Sequence, residues 1–223
     1  MVSNRVILFD LDGTLSDSAP GILGSLRHAF DVNGVPRLDP QTERALLGPP
    51  FYESLPPLIG FAALPDVIAA YREHYGRVGM YETSAYPGIR EVLVGLRSQE
   101  ALLAVATSKP EVYAVPIVEY LGLAEFFETV GGDDLDGSLG TKALVIGRVL
   151  ARLDEPYPTD MIMVGDRVHD VEGARAYGIP TIGAGWGYAM PGELEAAQPF
   201  RICATPADLA VVLGVDGTDA EAS

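Results

Sequence analysis

Val6-Ile7-Leu8-Phe9-Asp10-Leu11-Asp12-Gly13-Thr14-Leu15 is the stretch from which the rest of the chain can be read. Its four leading apolar residues do not alternate with polar ones. That suits a strand buried on both faces, as in a parallel sheet. The strand runs into two carboxylates two residues apart, and Gly13 permits a sharp turn directly after them. Open α/β sheets bind ligands at the carboxyl ends of their strands, so Asp10 and Asp12 are expected at a functional edge. There, one carboxylate could attack an electrophile while the other handles a proton. For these residues alone, a solvated turn is the plain alternative.

Outward from this stretch, further apolar runs lie at 102–106, 161–164 and 181–182, with a weaker one at 127–130 before Gly131-Gly132. Helical spacing separates them: Ile89, Val92, Leu93 and Leu96, then Ile146, Val149, Leu150 and Leu153. A helix is also predicted over 110–121, with Ser108 as its N-cap, and a short one over 173–177, stopped by Gly178. Strands alternating with helices imply an α/β fold with a Rossmann-like parallel sheet. One interval breaks the pattern. A crossover needs a dozen or so residues, and the helix near 88–97 supplies them. Residues 16–86 are surplus, with helical spacing and no convincing strand. They read as an inserted all-helical module hinged at 16–20 and 84–88. The sheet domain then comprises 1–15 and 87–223. The small, polar stretch 214–223 reads as a frayed tail.

A second acidic pair, Asp166 and Asp170, follows Val164-Gly165. Four acids at one sheet edge would repel each other strongly without a cation among them. Mg²⁺ suits a site with a few carboxylates, retained waters and substrate phosphate oxygens. A turn leading into a helix N-terminus that favours acids is the alternative. Thr107-Ser108-Lys109-Pro110 ends another strand, where a hydroxyl and free N–H groups could cradle a phosphate. Lys142 opens a helix, where its charge opposes the dipole. Binding phosphate and neutralising a carboxylate would explain that placement.

Composition narrows the partners. The 223 residues carry 31 Asp plus Glu against 15 Lys plus Arg, a net charge of -16, so nucleic acid polymers and anionic membranes are poor partners. Lys109 and Lys142 are the only lysines. The single Cys203 cannot form an internal disulfide. No apolar run reaches the ~20 residues of a membrane span, and no signal peptide is read at the start, so a cytoplasmic location is expected.

Four ordered segments resemble the haloacid dehalogenase superfamily of phosphohydrolases: 10–14, 106–110, Lys142 and 165–170. The stretch 171–180 and the Gly185-Trp186-Gly187-Tyr188 loop look like the family as well. The subgroup resembled is the phosphoglycolate phosphatase-like enzymes, whose helical cap follows the first motif, as 16–86 does here. The resemblance implies a Mg²⁺-dependent phosphatase acting on a small phosphorylated metabolite. Asp10 is then the nucleophile that forms an aspartyl-phosphate, and Asp12 the general acid and base. Thr107 and the backbone at Ser108 hold the phosphoryl oxygens, and Lys142 bridges phosphate and Asp10. Gly13, Ser108 and Lys109 are expected around the substrate, with Lys109 as the substitute should Lys142 lie elsewhere. The metal ligands are Asp10, the Asp12 carbonyl and Asp166, with Asp170 behind them. Asp12 argues against a dehalogenase, and a cap without lysine argues against Schiff-base phosphonate chemistry. A 5'-nucleotidase, a β-phosphoglucomutase-like phosphomutase and a non-catalytic phosphate- or partner-binding protein are the alternatives. In the cap, 47–51 is expected to reach the substrate, and Arg27 and Arg44 could meet a substrate carboxylate.

Overall fold

A computed structural model describes residues 5–153 and 160–215; of the tail expected at 214–223, residues 216–223 lie outside it. Among the described residues, six parallel strands form one sheet: β1 (Val6–Phe9), β4 (Leu102–Pro110), β5 (Thr129–Asp133), β6 (Met161–Gly165), β7 (Thr181–Ala184) and β8 (Arg201–Cys203), in the order β5-β4-β1-β6-β7-β8. The remaining two, β2 (Ser16–Asp17) and β3 (Ser84–Ala85), pair antiparallel as a separate short ribbon.

The apolar run of β1 is explained by its two covered faces. Val6 and Leu8 pack with Val145, Val149, Met161 and Met163. Ile7 and Phe9 point the other way, toward Val92, Leu96, Leu103 and Ile117. One face is covered by α6 (Ile89–Ser98), α7 (Glu111–Tyr120) and α11 (Pro206–Leu213), the other by α8 (Lys142–Arg152) and α9 (Val168–Arg175). The short α10 (Glu193–Ala197) packs beside α9. Each fully buried aliphatic side chain contributes about 1.5–3 kcal/mol.

Between β2 and β3 lie α1 (Ala19–Asn33), α2 (Pro40–Ala45), α3 (Phe51–Ser54), α4 (Pro56–Ile59) and α5 (Leu64–Arg77). They enclose their own cluster of Leu26, Ala29, Phe30, Leu46, Leu55, Val67 and Ile68. The ribbon corrects the expectation that 16–86 holds no strand, although it falls at the expected hinges. Two residues per strand leave no period to read.

Three other expectations need correction. The strand predicted near 127–130 begins at Thr129 and runs through Gly131 and Gly132, which were expected to end it. β8 was not foreseen, being three residues long with Arg201 and Ile202 exposed. Ser108 does not cap α7, because β4 continues past it through a register shift between Ala106 and Pro110, and Pro110 itself stands at the N-cap.

Candidate active site

β1 pairs with β4 on one side and β6 on the other, both parallel to it. The chain order therefore reverses direction at β1, where open α/β sheets bind ligands. Neighbouring strands lie about 4.8 Å apart, so residues just past the ends of β1 and β6, and those late in β4, converge. Asp10 is fixed by its own N–H, which donates to the Val164 carbonyl at 2.9 Å. Gly13 then turns the chain with φ +83°, and a Cβ there would lie 2.8 Å from Tyr188 Cδ2. Only glycine suits both the positive φ and that approach.

Lys142 enters from the opposite face. Thr141 caps α8, accepting from the Leu144 N–H at 3.3 Å. A Cβ on Gly173 of α9 would lie 2.8 Å from the Lys142 Cβ, so this glycine lets the two helices close around the lysine stem. The ammonium lies 2.7 Å from Asp10 Oδ1 and 2.7 Å from Asp170 Oδ1. The contact with Asp10 is an ion pair without an aligned hydrogen bond. Asp170 Oδ2 accepts from the Arg167 N–H at 3.0 Å. Asp166 Oδ2 accepts from the Tyr188 N–H at 2.7 Å, and its Oδ1 from the Thr14 hydroxyl at 3.3 Å.

Oxygens of Asp10, Asp166 and Asp170 all lie within 4.8 Å of one another, and all three residues are buried. Burial raises the Asp10 carboxyl to about 6, with Lys142 pulling it down and Asp170 pushing it up. Burial and the charges of Asp170 and Asp10 raise Asp166 well above the usual carboxylate range. Burial alone would lower Lys142, but Asp10 and Asp170 hold it above the ordinary lysine value. Three buried carboxylates thus crowd around one ammonium that pairs with two of them, Asp10 and Asp170. That residual negative charge, carried by hard oxygen donors, fits a divalent cation.

The raised Asp10 has a pH consequence. Without metal, the folded protein holds more protons than the unfolded chain between pH about 4 and about 6. The Asp10 contribution to stability should therefore fall as pH rises through that window. Chemical denaturation of the metal-free protein beside Asp10→Asn should show the difference between the two declining from pH 4 to 6.

Asp12 points away from this cluster. Its Oδ2 accepts from the Lys109 ammonium at 2.6 Å, and its Oδ1 is buried without a hydrogen-bond partner among the described residues. Lys109 also lies 4.9 Å from the ring centre of Tyr75 in α5. The two lysines thus divide the acids between them, and Lys142, not Lys109, meets Asp10. Thr107 is buried, and its hydroxyl accepts from the Lys109 N–H at 3.2 Å. Beside Asp12, a cavity of about 170 Å³ opens between the helices and the sheet edge, lined by Ser108, Lys109, Phe51, Tyr71, Tyr75 and Tyr113.

Residues 7–184 match the model of the haloacid dehalogenase-like hydrolases. The chain belongs to this family. The tyrosine-protein kinase PtkA of Mycobacterium tuberculosis is 40% identical over 96% of this chain and 74% of that protein. A 5'-nucleotidase of Pseudomonas aeruginosa is 36% identical, covering 93% and 94% of the two chains. A phosphoglycolate phosphatase of Chromobacterium violaceum is 31% identical, covering 86% and 90%. Among solved structures, a haloacid dehalogenase-like hydrolase from Streptococcus pneumoniae superposes with a TM-score of 0.88 at 31% identity, covering 96% of this chain and all of that one.

In this hydrolase the structure also shows residues to which sequence reasoning gave no role. Tyr188 ties the acid cluster to the hinge: its N–H holds Asp166, while its hydroxyl donates to Asp17 Oδ1 at 2.8 Å and accepts from the Ser18 and Ala19 N–H groups at 2.6 and 2.9 Å. Tyr188→Phe strands the Ser18 N–H and leaves the Ala19 N–H only its 3.3 Å bond to Asp17 Oδ1, and a loss of about 1–3 kcal/mol is expected in thermal or chemical unfolding. Buried Arg167 reaches from the acid cluster to the inserted helices, donating to the Leu47 carbonyl, while its Nε donates to Glu193 at 2.7 Å. No local pattern marks either contact, because both partners are remote in sequence. Arg27 and Arg44 do not reach the cavity. Arg27 is paired with Glu43 at 2.9 Å, and Arg44 donates to the Gly187 carbonyl at 3.3 Å in a different cleft.

Proposed function

We propose that this phosphatase-type hydrolase cleaves a small phosphate monoester, with Mg²⁺ bound, through an aspartyl-phosphate on Asp10. The observation carrying this reading is the buried Asp10 carboxylate, set between Lys142 and the Asp166–Asp170 pair at the end of the central strand. Asp10 attacks phosphorus in line with the leaving oxygen. Asp12, two residues on, supplies the proton to that oxygen and later takes one from the water that hydrolyses the intermediate. The Asp12 side of the site borders the cavity from which a leaving oxygen or a water would approach. Lys142 keeps Asp10 ionised and faces the phosphoryl oxygens, and Thr107 with the backbone at Ser108 holds them from the β4 side. Positioning and charge neutralisation are what phosphoryl transfer needs most.

Asp10, the Asp12 carbonyl and Asp166 would hold the metal, with Asp170 anchoring Lys142 and offering a further oxygen. Bound Mg²⁺ would neutralise charge on the transferring phosphoryl group. Residues 1–15 and 87–223 form the catalytic domain in this reading, and 16–86 the cap that excludes water. A cytoplasmic location accords with a small phosphorylated substrate; among the described residues no helix is long and apolar enough to cross a membrane.

Release of inorganic phosphate from an aryl phosphate, with and without Mg²⁺, tests the proposal. Turnover that requires Mg²⁺ is expected, and its absence would favour a phosphate-binding protein on the same fold. Isomerised hexose phosphate without phosphate release would favour a mutase. The metal site has a separate test. Asp166→Asn removes one of the crowded acids, so the metal-free protein should melt higher than wild type while its thermal shift on adding Mg²⁺ disappears.

A further inference from the structure

The cavity beside Asp12 has a wall that phosphate chemistry does not require. Tyr71 and Tyr75 of α5 stack with ring centres 5.4 Å apart and 14° between their planes. Phe51 of α3 meets Tyr71 edge-on at 4.8 Å, and Tyr113 of α7 meets Tyr75 edge-on at 5.3 Å. All four rings line the space that also touches Asp12 and Lys109. Three come from the inserted helices and one from the sheet domain, so the box exists only with those helices seated over the sheet edge. Tyr75 is packed into the core, and Phe51, Tyr71 and Tyr113 pack against it. These surround about 170 Å³, comparable with the ~150 Å³ engineered cavity that admits one benzene ring.

Several of the cations near the box are already committed. A substrate with a second acidic group near its phosphate would need a free cation. Lys109 is engaged by Asp12, Arg27 by Glu43, and Arg44 lies in another cleft. Arg72, which also lines the cavity, donates to the Leu135 carbonyl and lies over the exposed Tyr52 ring, with no carboxylate partner among the described residues. Burial, with nearby Asp12 and the neighbouring phenols, keeps the Tyr71 and Tyr75 hydroxyls protonated. The wall therefore offers aromatic surface and neutral donors, with the Arg72 guanidinium and the carboxylates of Asp133 and Asp134 also in the lining.

We propose that the box receives a flat aromatic ring carried by the leaving group, so that the substrates are aromatic phosphate monoesters, whether nucleoside monophosphates or aryl phosphates. This rests on the phosphatase reading above and narrows it away from small aliphatic acid phosphates such as phosphoglycolate. Aromatic stacking on a nucleobase corresponds to roughly 5- to 150-fold discrimination.

Two matched pairs test it on the intact enzyme with Mg²⁺: uridine 5'-monophosphate against ribose 5-phosphate, and phenyl phosphate against phosphoglycolate. In at least one pair, kcat/KM should favour the ring-bearing ester tenfold or more, and the pair that does so identifies the source of the ring. Tyr113→Leu, checked for an unchanged circular dichroism spectrum, should shrink that ratio at least threefold. A preference below tenfold in both pairs, or a ratio that Tyr113→Leu leaves in place, overturns the proposal while leaving the phosphatase reading intact. No phosphate release from any of the four esters overturns that reading, and this proposal with it.

Discussion

Asp10→Asn is expected to lower phosphate release by about 10⁴-fold or more while leaving the fold in place. The amide matches the carboxylate in shape, so the packing at the end of β1 is preserved. What it lacks is the anionic oxygen that would attack phosphorus. The Lys142 ammonium keeps Asp170 at 2.7 Å after the substitution, so its charge is not stranded. Crowding among Asp10, Asp166 and Asp170 is relieved, so thermal unfolding of the metal-free variant should not fall below that of wild type. Retained turnover in a folded Asp10→Asn protein would overturn the nucleophile assignment. Trapping the phosphorylated enzyme in wild type and failing to do so in the variant would support it.

Lys142→Met is expected to carry the largest stability cost. Methionine keeps much of the stem volume between α8 and α9 but removes the only ammonium within 3 Å of Asp10 and Asp170 among the described residues. Breaking a buried ion pair from one side costs about 3–5 kcal/mol, because the remaining charge is left uncompensated. Here two carboxylates lose their partner together, beside an already crowded Asp166. The denaturation midpoint of the metal-free protein should fall accordingly at pH 7, and less at pH 5, where the carboxyls can take up protons. Activity should be lost as well, since Asp10 would be driven toward its neutral form. An unchanged midpoint at pH 7 would show that Lys142 does not carry this charge balance.

The contrast between the two lysines shows what could be read from the chain and what could not. Both flank segments that resemble phosphate-binding motifs, and both are candidates on sequence alone. The fold separates them because Lys142 rides on α8 across one face of the sheet to Asp10, while Lys109 follows the irregular end of β4 to Asp12. Spacing along the chain carries no information about that choice. Asp170 is a similar case: the sequence set it among the acids of the sheet edge, behind the metal ligands, and only in space does it anchor Lys142.

Short local signals were legible where one element sufficed to produce them. Unbroken apolar runs marked β1, β4 and β6 because strands covered on both faces need no polar positions. The acids after β1 and β6 were legible because a parallel sheet places strand ends on one edge. Helical spacing and a surplus of residues revealed the inserted helices. The short ribbon, β8, and the contacts of Tyr188 and Arg167 with remote segments had no such signal.

By itself, the sequence determined a parallel α/β sheet with a helical insertion, an acidic edge suited to a cation, and the order of the motifs. Periodicity and strand-end chemistry are local, and they survive without coordinates. The tertiary structure alone decided which lysine faces Asp10, that Asp170 pairs with that lysine, and that four aromatic rings from α3, α5 and α7 line a cavity beside Asp12. Those outcomes depend on helix packing and crossover geometry, which bring together residues up to about 160 positions apart.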